Sequence, residues 1–123
     1  MSVTLPGAEG MQKMQAVMQT LRTDPPAKLA GIPVARVRDY LNGRIASGGV
    51  SQPLDGPKGD LVILDLAEEG NYAAVRPSGT EPKIKFYLFT YTPAEQIADL
   101  EDSKAELADR LAAMEADLRA AAG

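Results

Sequence analysis

The residues best suited to chemistry in this 123-residue chain gather in one stretch: Arg76-Pro77-Ser78-Gly79-Thr80-Glu81-Pro82, followed by Lys83 and Lys85. Holding a phosphate-like anion takes N–H and O–H donors converging on one point, with a cation beside them. Arginine suits that task because its planar fork meets two anion oxygens at once. Ser78 and Thr80 bring two hydroxyls. Gly79 carries no side chain, so its backbone N–H can be approached closely. Pro77 and Pro82 stiffen the flanks and reduce the entropy lost on ordering. Lys83 and Lys85 add positive potential. The pattern is not a Walker loop, which needs Gly-Lys-Ser/Thr opening a helix. Ser, Gly and Pro also build ordinary turns, so on residue types alone a plain hairpin loop stays open as the alternative.

The rest of the composition narrows the chemistry. The chain has no histidine and no cysteine. That removes the commonest general base and zinc ligand, and with them a Ser-His-Asp triad, a zinc site and any thiolate chemistry. Asp60 and Asp65 bracket a strand and do not form a magnesium-binding triad. No catalytic residue and no metal ligand is predicted. A net charge of −4 argues against a nucleic-acid binder, which needs a basic face. Around the loop, however, Arg76, Lys83 and Lys85 outweigh Glu81, which fits a small anionic ligand. The longest apolar run is too short to span a membrane, and the N-terminus lacks the features of a secretory signal. A cytoplasmic location is expected, in keeping with the absence of cysteine.

The elements that must position the loop are readable from periodicity. Met11, Met14, Met18 and Leu21 mark an amphipathic helix ended by Asp24-Pro25-Pro26. A strand is predicted within Gly31–Leu41, then a long irregular loop over 42–59, rich in Gly, Ser and Pro. Asp60–Leu66 reads as a central strand, Gly70-Asn71 as a turn tolerating positive φ, and "YAAVR" as a short strand ending at Arg76. Beyond the loop, "KIKFYLFTY" alternates, with Ile84, Phe86 and Leu88 on one side and Lys85, Tyr87 and Phe89 on the other. Thr92-Pro93-Ala94-Glu95 has the form of a capping box. It opens a helix predicted to reach about Ala120, about 40 Å long. Leu100, Lys104, Leu107, Leu111, Met114 and Leu118 form its seam, which could dock on the sheet or pair in a helix-mediated dimer. The class is α+β: an antiparallel sheet of about four strands with helices on one face. Residues 1–123 form a single domain, with 1–6 expected to be disordered or added in cloning.

The string "RPSGTEPKIKFYL" resembles the signature loop of the C-terminal domain of the α-D-phosphohexomutases, the family of phosphoglucomutase and phosphomannomutase. The order of elements from about Gly7 onward resembles that domain too, and implies a TATA-box-binding-protein-like fold. The "KIKFY" continuation looks more like the phosphoglucomutase and phosphomannomutase branch than the phosphoglucosamine mutases. Carried over by position, the resemblance implies that Arg76, Ser78, Gly79 and Thr80, with Lys83 as a supplementary contact, hold the phosphate that is not being transferred. The implied partners are a phosphosugar, its bisphosphate intermediate and the other domains of the same enzyme. Glu81 matches the string without a physical reason for a ligand role.

The family's remaining machinery is not in this sequence. Its phosphoserine loop requires a Ser-His-Asn-Pro-like context, which a histidine-free chain cannot supply around Ser2, Ser47, Ser51 or Ser103. Its Asp-x-Asp-x-Asp magnesium loop and sugar-binding loop are also missing. The expectation is therefore a phosphate-binding C-terminal piece of an intramolecular phosphotransferase of the isomerase class. Mg²⁺ and the phosphoserine would lie in other domains, and this chain alone would be inactive. A free-standing sugar-phosphate-binding module and a helix-mediated interaction domain are the alternatives.

Overall fold

The computed structural model describes residues 1–5, 7–93 and 99–122. In chain order the elements are β1 (Ser2–Thr4), α1 (Gly10–Thr23), β2 (Lys28–Leu29), β3 (Ile32–Asp39), β4 (Arg44–Ser47), β5 (Val50–Pro53), β6 (Val62–Leu66), β7 (Tyr72–Pro77), β8 (Lys83–Phe89) and α2 (Leu100–Ala122). All described strand pairs are antiparallel, in the order β1-β8-β7-β6-β3-β4-β5, with β2 attached to β3 off that path.

One face of this sheet makes the core. Residues directly opposite on antiparallel strands share a face. The rows Val37↔Leu64↔Ala73 and Val62↔Val75↔Phe86 therefore lie together, and with Ile84 and Leu66 they are buried. Helix α1 covers them with Met14, Met18 and Leu21, while Met11, at the edge of its stripe, stays exposed. The helix ends as Asp24 donates its N–H to the Thr20 carbonyl and Pro25 and Pro26 follow. Arg22, in its last turn, is held by Asp39 of β3 at 3.2 Å and by Asp60, closing one end of the helix–sheet interface. Helix α2 docks through Met114, Leu118 and Ala122, whereas Leu100 in its first turn is 60% exposed. Its start is capped by Asp99, whose Oδ1 accepts from the Asp102 N–H at 3.0 Å.

The α+β class holds, with corrections. The sheet has eight strands among the described residues rather than about four. The 42–59 segment is not an irregular loop: it contains the β4–β5 hairpin, turned at Gly48 and Gly49, whose φ values of 57° and 81° are those of a primed two-residue turn. Its strands are largely exposed on both faces, so no hydrophobic alternation announced them. Ser2–Thr4, expected to be disordered, forms the edge strand β1 against β8. At the Gly70-Asn71 turn only Gly70 has positive φ. Asn71 is instead a buried hub, accepting from the Tyr91 N–H and Thr90 Oγ1 and donating to the carbonyls of Glu68, Glu69 and Tyr91. The capping box falls partly on residues 94–98, which lie outside the described residues. Thr92 and Pro93 are not helical, and the described helix starts at Leu100.

Candidate functional site

The loop of interest joins β7 to β8 and spans 78–82. The two strands pair from Tyr72↔Phe89 through Arg76↔Lys85 to Pro77↔Ile84. Alternation sends Ala73, Val75, Ile84 and Phe86 into the core. It leaves Tyr72, Ala74, Arg76, Lys85, Tyr87 and Phe89 on the opposite face, which no described helix covers.

That register sets Arg76 directly across from Lys85. Like charges opposite one another destabilise a strand pair. Among the described residues, neither side chain has an ion pair or hydrogen bond. The contrast with the arginines of β3 is informative. Arg36 and Arg38 lie on the same face and share one carboxylate, Asp65, at 3.1 and 2.8 Å, with a second Arg38 bond at 2.9 Å. Burial by itself lowers the Arg38 pKa, but the hydrogen bond and charge of Asp65, helped by Tyr40, outweigh it and hold Arg38 above its ordinary value. The sheet thus compensates its cations at β3 and leaves a pair uncompensated at the mouth of the 78–82 loop.

The loop itself is tied down at its base. Ser78 donates its N–H to the Lys83 carbonyl at 2.8 Å, and the Lys83 N–H goes to the Glu81 carbonyl at 2.8 Å. Pro82 is anchored from the other side. Its carbonyl accepts from the Leu5 N–H at 2.7 Å, and the first residue of α1, Gly10, packs so closely that a Cβ there would sit 2.8 Å from Pro82 Cβ and 2.2 Å from the Leu5 oxygen. Glycine at position 10 is what lets the helix meet the loop. Gly79 is a different case. Its φ is not left-handed, and an added Cβ would touch nothing within 4 Å. Neither turn geometry nor internal crowding calls for glycine at position 79.

The predicted site residues therefore divide. Arg76 is exposed on the open face, Ser78 is half-buried at the loop base, and Gly79 and Thr80 are exposed at the tip. The hydroxyls of Ser78 and Thr80 and the N–H groups of Gly79 and Thr80 have no partner among the described residues, whereas the Ser78 N–H is already used within the loop. Lys83 sits 4.0 Å from the Glu81 carboxylate, a long and exposed ion pair. Lys85, treated in the sequence only as background potential, is the cation that the register places beside Arg76. Strand alternation marks it once the β7–β8 pairing is known; the sequence alone does not supply the pairing.

Among the described residues no group of three or more His, Cys, Asp or Glu is placed to hold a metal ion, and Asp60 and Asp65 are each engaged by arginine. None of the described helices is long and apolar enough to cross a membrane.

Residues 2–118 match the family described as Phosphoglucomutase/phosphomannomutase, C-terminal domain. Among curated proteins, the phosphoglucomutase of Staphylococcus aureus strain MRSA252 is 39% identical over 94 residues, covering 75% of this chain and 17% of the relative. The phosphoglucomutase of strain MSSA476 is 39% identical over 89 residues, covering 71% of this chain and 16% of the relative. The chain thus spans about a sixth of the length of the curated relatives it matches. No solved structure gives a significant match. With an antiparallel α+β sheet and the family match running along nearly its whole length, the chain belongs to the phosphoglucomutase/phosphomannomutase C-terminal domain family.

Proposed function

We propose that the 78–82 loop and its flanking cations bind the phosphate group of a phosphosugar. The observation that carries this reading is the uncompensated Arg76–Lys85 pair beside a loop tip with unpartnered donors. A dianion between the two cations would relieve their repulsion and accept from the Gly79 and Thr80 N–H groups and the Ser78 and Thr80 hydroxyls. Gly79, which nothing inside the chain requires, fits a ligand that comes close to the backbone.

In the parent enzyme this phosphate is the one not being transferred. A phosphoserine and Mg²⁺ in other domains carry out the phosphoryl transfer between the sugar 1- and 6-positions, by way of a bisphosphorylated sugar. The contribution of this domain is to position the substrate, which lowers the barrier by fixing the reacting geometry. Alone, this chain should bind the phosphosugar without turning it over. Phosphomannomutase as well as phosphoglucomutase chemistry is compatible with the loop, and a cytoplasmic setting fits a cysteine-free chain.

A two-dimensional NMR titration of this chain with inorganic phosphate and with glucose-1-phosphate tests the proposal. The expected result is that the Gly79 and Thr80 amides shift together at millimolar ligand, and the internally bonded Ser78 amide less. If all three stay still in a well-folded spectrum, the loop is only a turn and the proposal fails.

A further inference from the structure

The exit arm of the 78–82 loop is held from outside its own hairpin. Strand β1 runs along β8 toward the loop, with Ser2 across from Lys85 and Thr4 across from Lys83. At its far end Met1 brackets Phe86, donating to its carbonyl at 3.0 Å and accepting from its N–H at 2.8 Å. The ladder does not stop where the strand does. Leu5 continues it into the loop, donating its N–H to the Pro82 carbonyl at 2.7 Å. Pro82 has no N–H, so that carbonyl is its one backbone hydrogen-bonding group, and Leu5 takes it. The Leu5 side chain is buried in the core, which fixes the donor in place. Gly10, the first residue of α1, closes in behind. The space that a Cβ would need there is already taken by the Leu5 oxygen and by Pro82 Cβ. The end of β1, the start of the helix and the loop thus meet at one point without slack.

We infer that Leu5 and Gly10 are positioning residues for the anion site: the Leu5–Pro82 hydrogen bond, wedged by the start of α1, holds the loop in its binding geometry. The inference rests on the phosphate reading above. Two features of the loop call for an outside support. The N–H groups of Gly79 and Thr80 at its exposed tip have no partner among the described residues, so they converge on a ligand only if the base beneath them is fixed. Arg76 and Lys85 face each other across that base, where like charges push β7 and β8 apart. The Ser78–Lys83 bond resists from within the hairpin, and β1 with Leu5 resists from the other side of β8. A loop already held in place loses less freedom when it takes a ligand, and binds more tightly for it. Neither Leu5 nor Gly10 belongs to the loop; each acts through Pro82, Leu5 by its N–H and Gly10 by having no side chain.

The test is an NMR titration with inorganic phosphate of the wild-type chain, Gly10→Ala and Met18→Ala. Gly10→Ala drives a methyl group between Leu5 and Pro82. Met18→Ala opens a cavity under α1 about two turns further along, and so destabilises the fold away from the Pro82 contact. Gly10→Ala should weaken phosphate binding roughly fivefold or more, the scale expected when a binding loop must be ordered anew. Met18→Ala should lower the melting temperature yet keep the wild-type affinity. A second measurement needs no variant. Coupling between the clamp and the ligand is reciprocal. Phosphate should therefore slow hydrogen exchange at the Leu5 amide by a larger factor than at the Leu54 amide, which bonds to the Gly43 carbonyl at 2.9 Å beside the β4–β5 hairpin. Equal affinity in Gly10→Ala and wild type, or an equal loss in both variants, overturns the inference and leaves the phosphate reading standing. If Gly10→Ala does not fold, the exchange comparison decides, and equal slowing at Leu5 and Leu54 overturns the inference too. If phosphate moves neither the Gly79 nor the Thr80 amide of wild type, the phosphate reading has failed and the inference falls with it.

Discussion

The two faces of the β7–β8 pair, built from alternate residues of the same strands, have opposite characters. Val75, Ile84 and Phe86 point toward α1 and are almost fully buried, Phe86 at 1% exposure. Arg76, Lys85 and Tyr87, their immediate neighbours in sequence, point the other way into solvent. The covered face is internally satisfied: apolar groups meet apolar groups, and the Arg22, Asp39 and Asp60 charges at its edge are paired. The open face carries an unrelieved cation pair and exposed aromatic rings. On the proposed reading, stability and ligand binding fall on opposite sides of one sheet, and a change on one side should register mainly on its own side.

The largest expected effect tests the covered face. Phe86→Ala should cost about 3–5 kcal/mol of folding stability, because it removes a buried ring and leaves a cavity. Thermal or urea unfolding reads this directly. An effect as large from Tyr87→Ala, one residue away, would break the comparison. Next comes the open face. Arg76→Ala should weaken phosphosugar binding by about 2 kcal/mol or more, the scale of a charge-assisted hydrogen-bonded pair. Because Arg76 is exposed, its unfolding midpoint without ligand should barely move. A collapse in stability instead would make it a structural arginine. The smallest effect is the sharpest. Lys85→Gln should weaken phosphate binding, yet raise ligand-free stability by a few tenths of a kcal/mol, since it removes a like-charge cross-strand pair. Opposite signs in calorimetric titration and in unfolding are the signature of a site held at some cost to the fold. If both measurements fall, Lys85 supports the sheet rather than the ligand.

The elements that the sequence revealed are those with one wet and one dry side. The Met14, Met18, Leu21 stripe of α1 and the alternation of β8 were legible because burial on a single face imposes a period on the chain. The β4–β5 hairpin was not, since both of its faces are largely exposed and no period is imposed. Its one local signal was Gly48-Gly49, a dipeptide suited to a primed turn. Strand β1 is three residues long and owes its existence to backbone pairing with β8, which leaves little mark on side-chain choice. Asn71 looked like a turn residue by type; the approach of Thr90, Tyr91 and Arg110 of α2 makes it a buried hydrogen-bond hub.

The candidate site divides in the same way. Residue identity alone determined that Arg76, Ser78, Gly79 and Thr80 sit together on a short connection with donors and a cation, because their grouping is local and chain connectivity enforces it. The exclusion of thiolate and histidine chemistry also follows from composition, which no folding can change. Tertiary structure decided the rest. Register set Lys85 rather than Lys83 beside Arg76, hydrogen bonding withdrew the Ser78 N–H into the loop, and the packing of the described helices left the Tyr87 side of the sheet without a helix over it. Each of these depends on which strand pairs with which and on where α1 and α2 come to rest. Such long-range contacts are chosen by the energy of the whole core, and no short stretch of sequence encodes them.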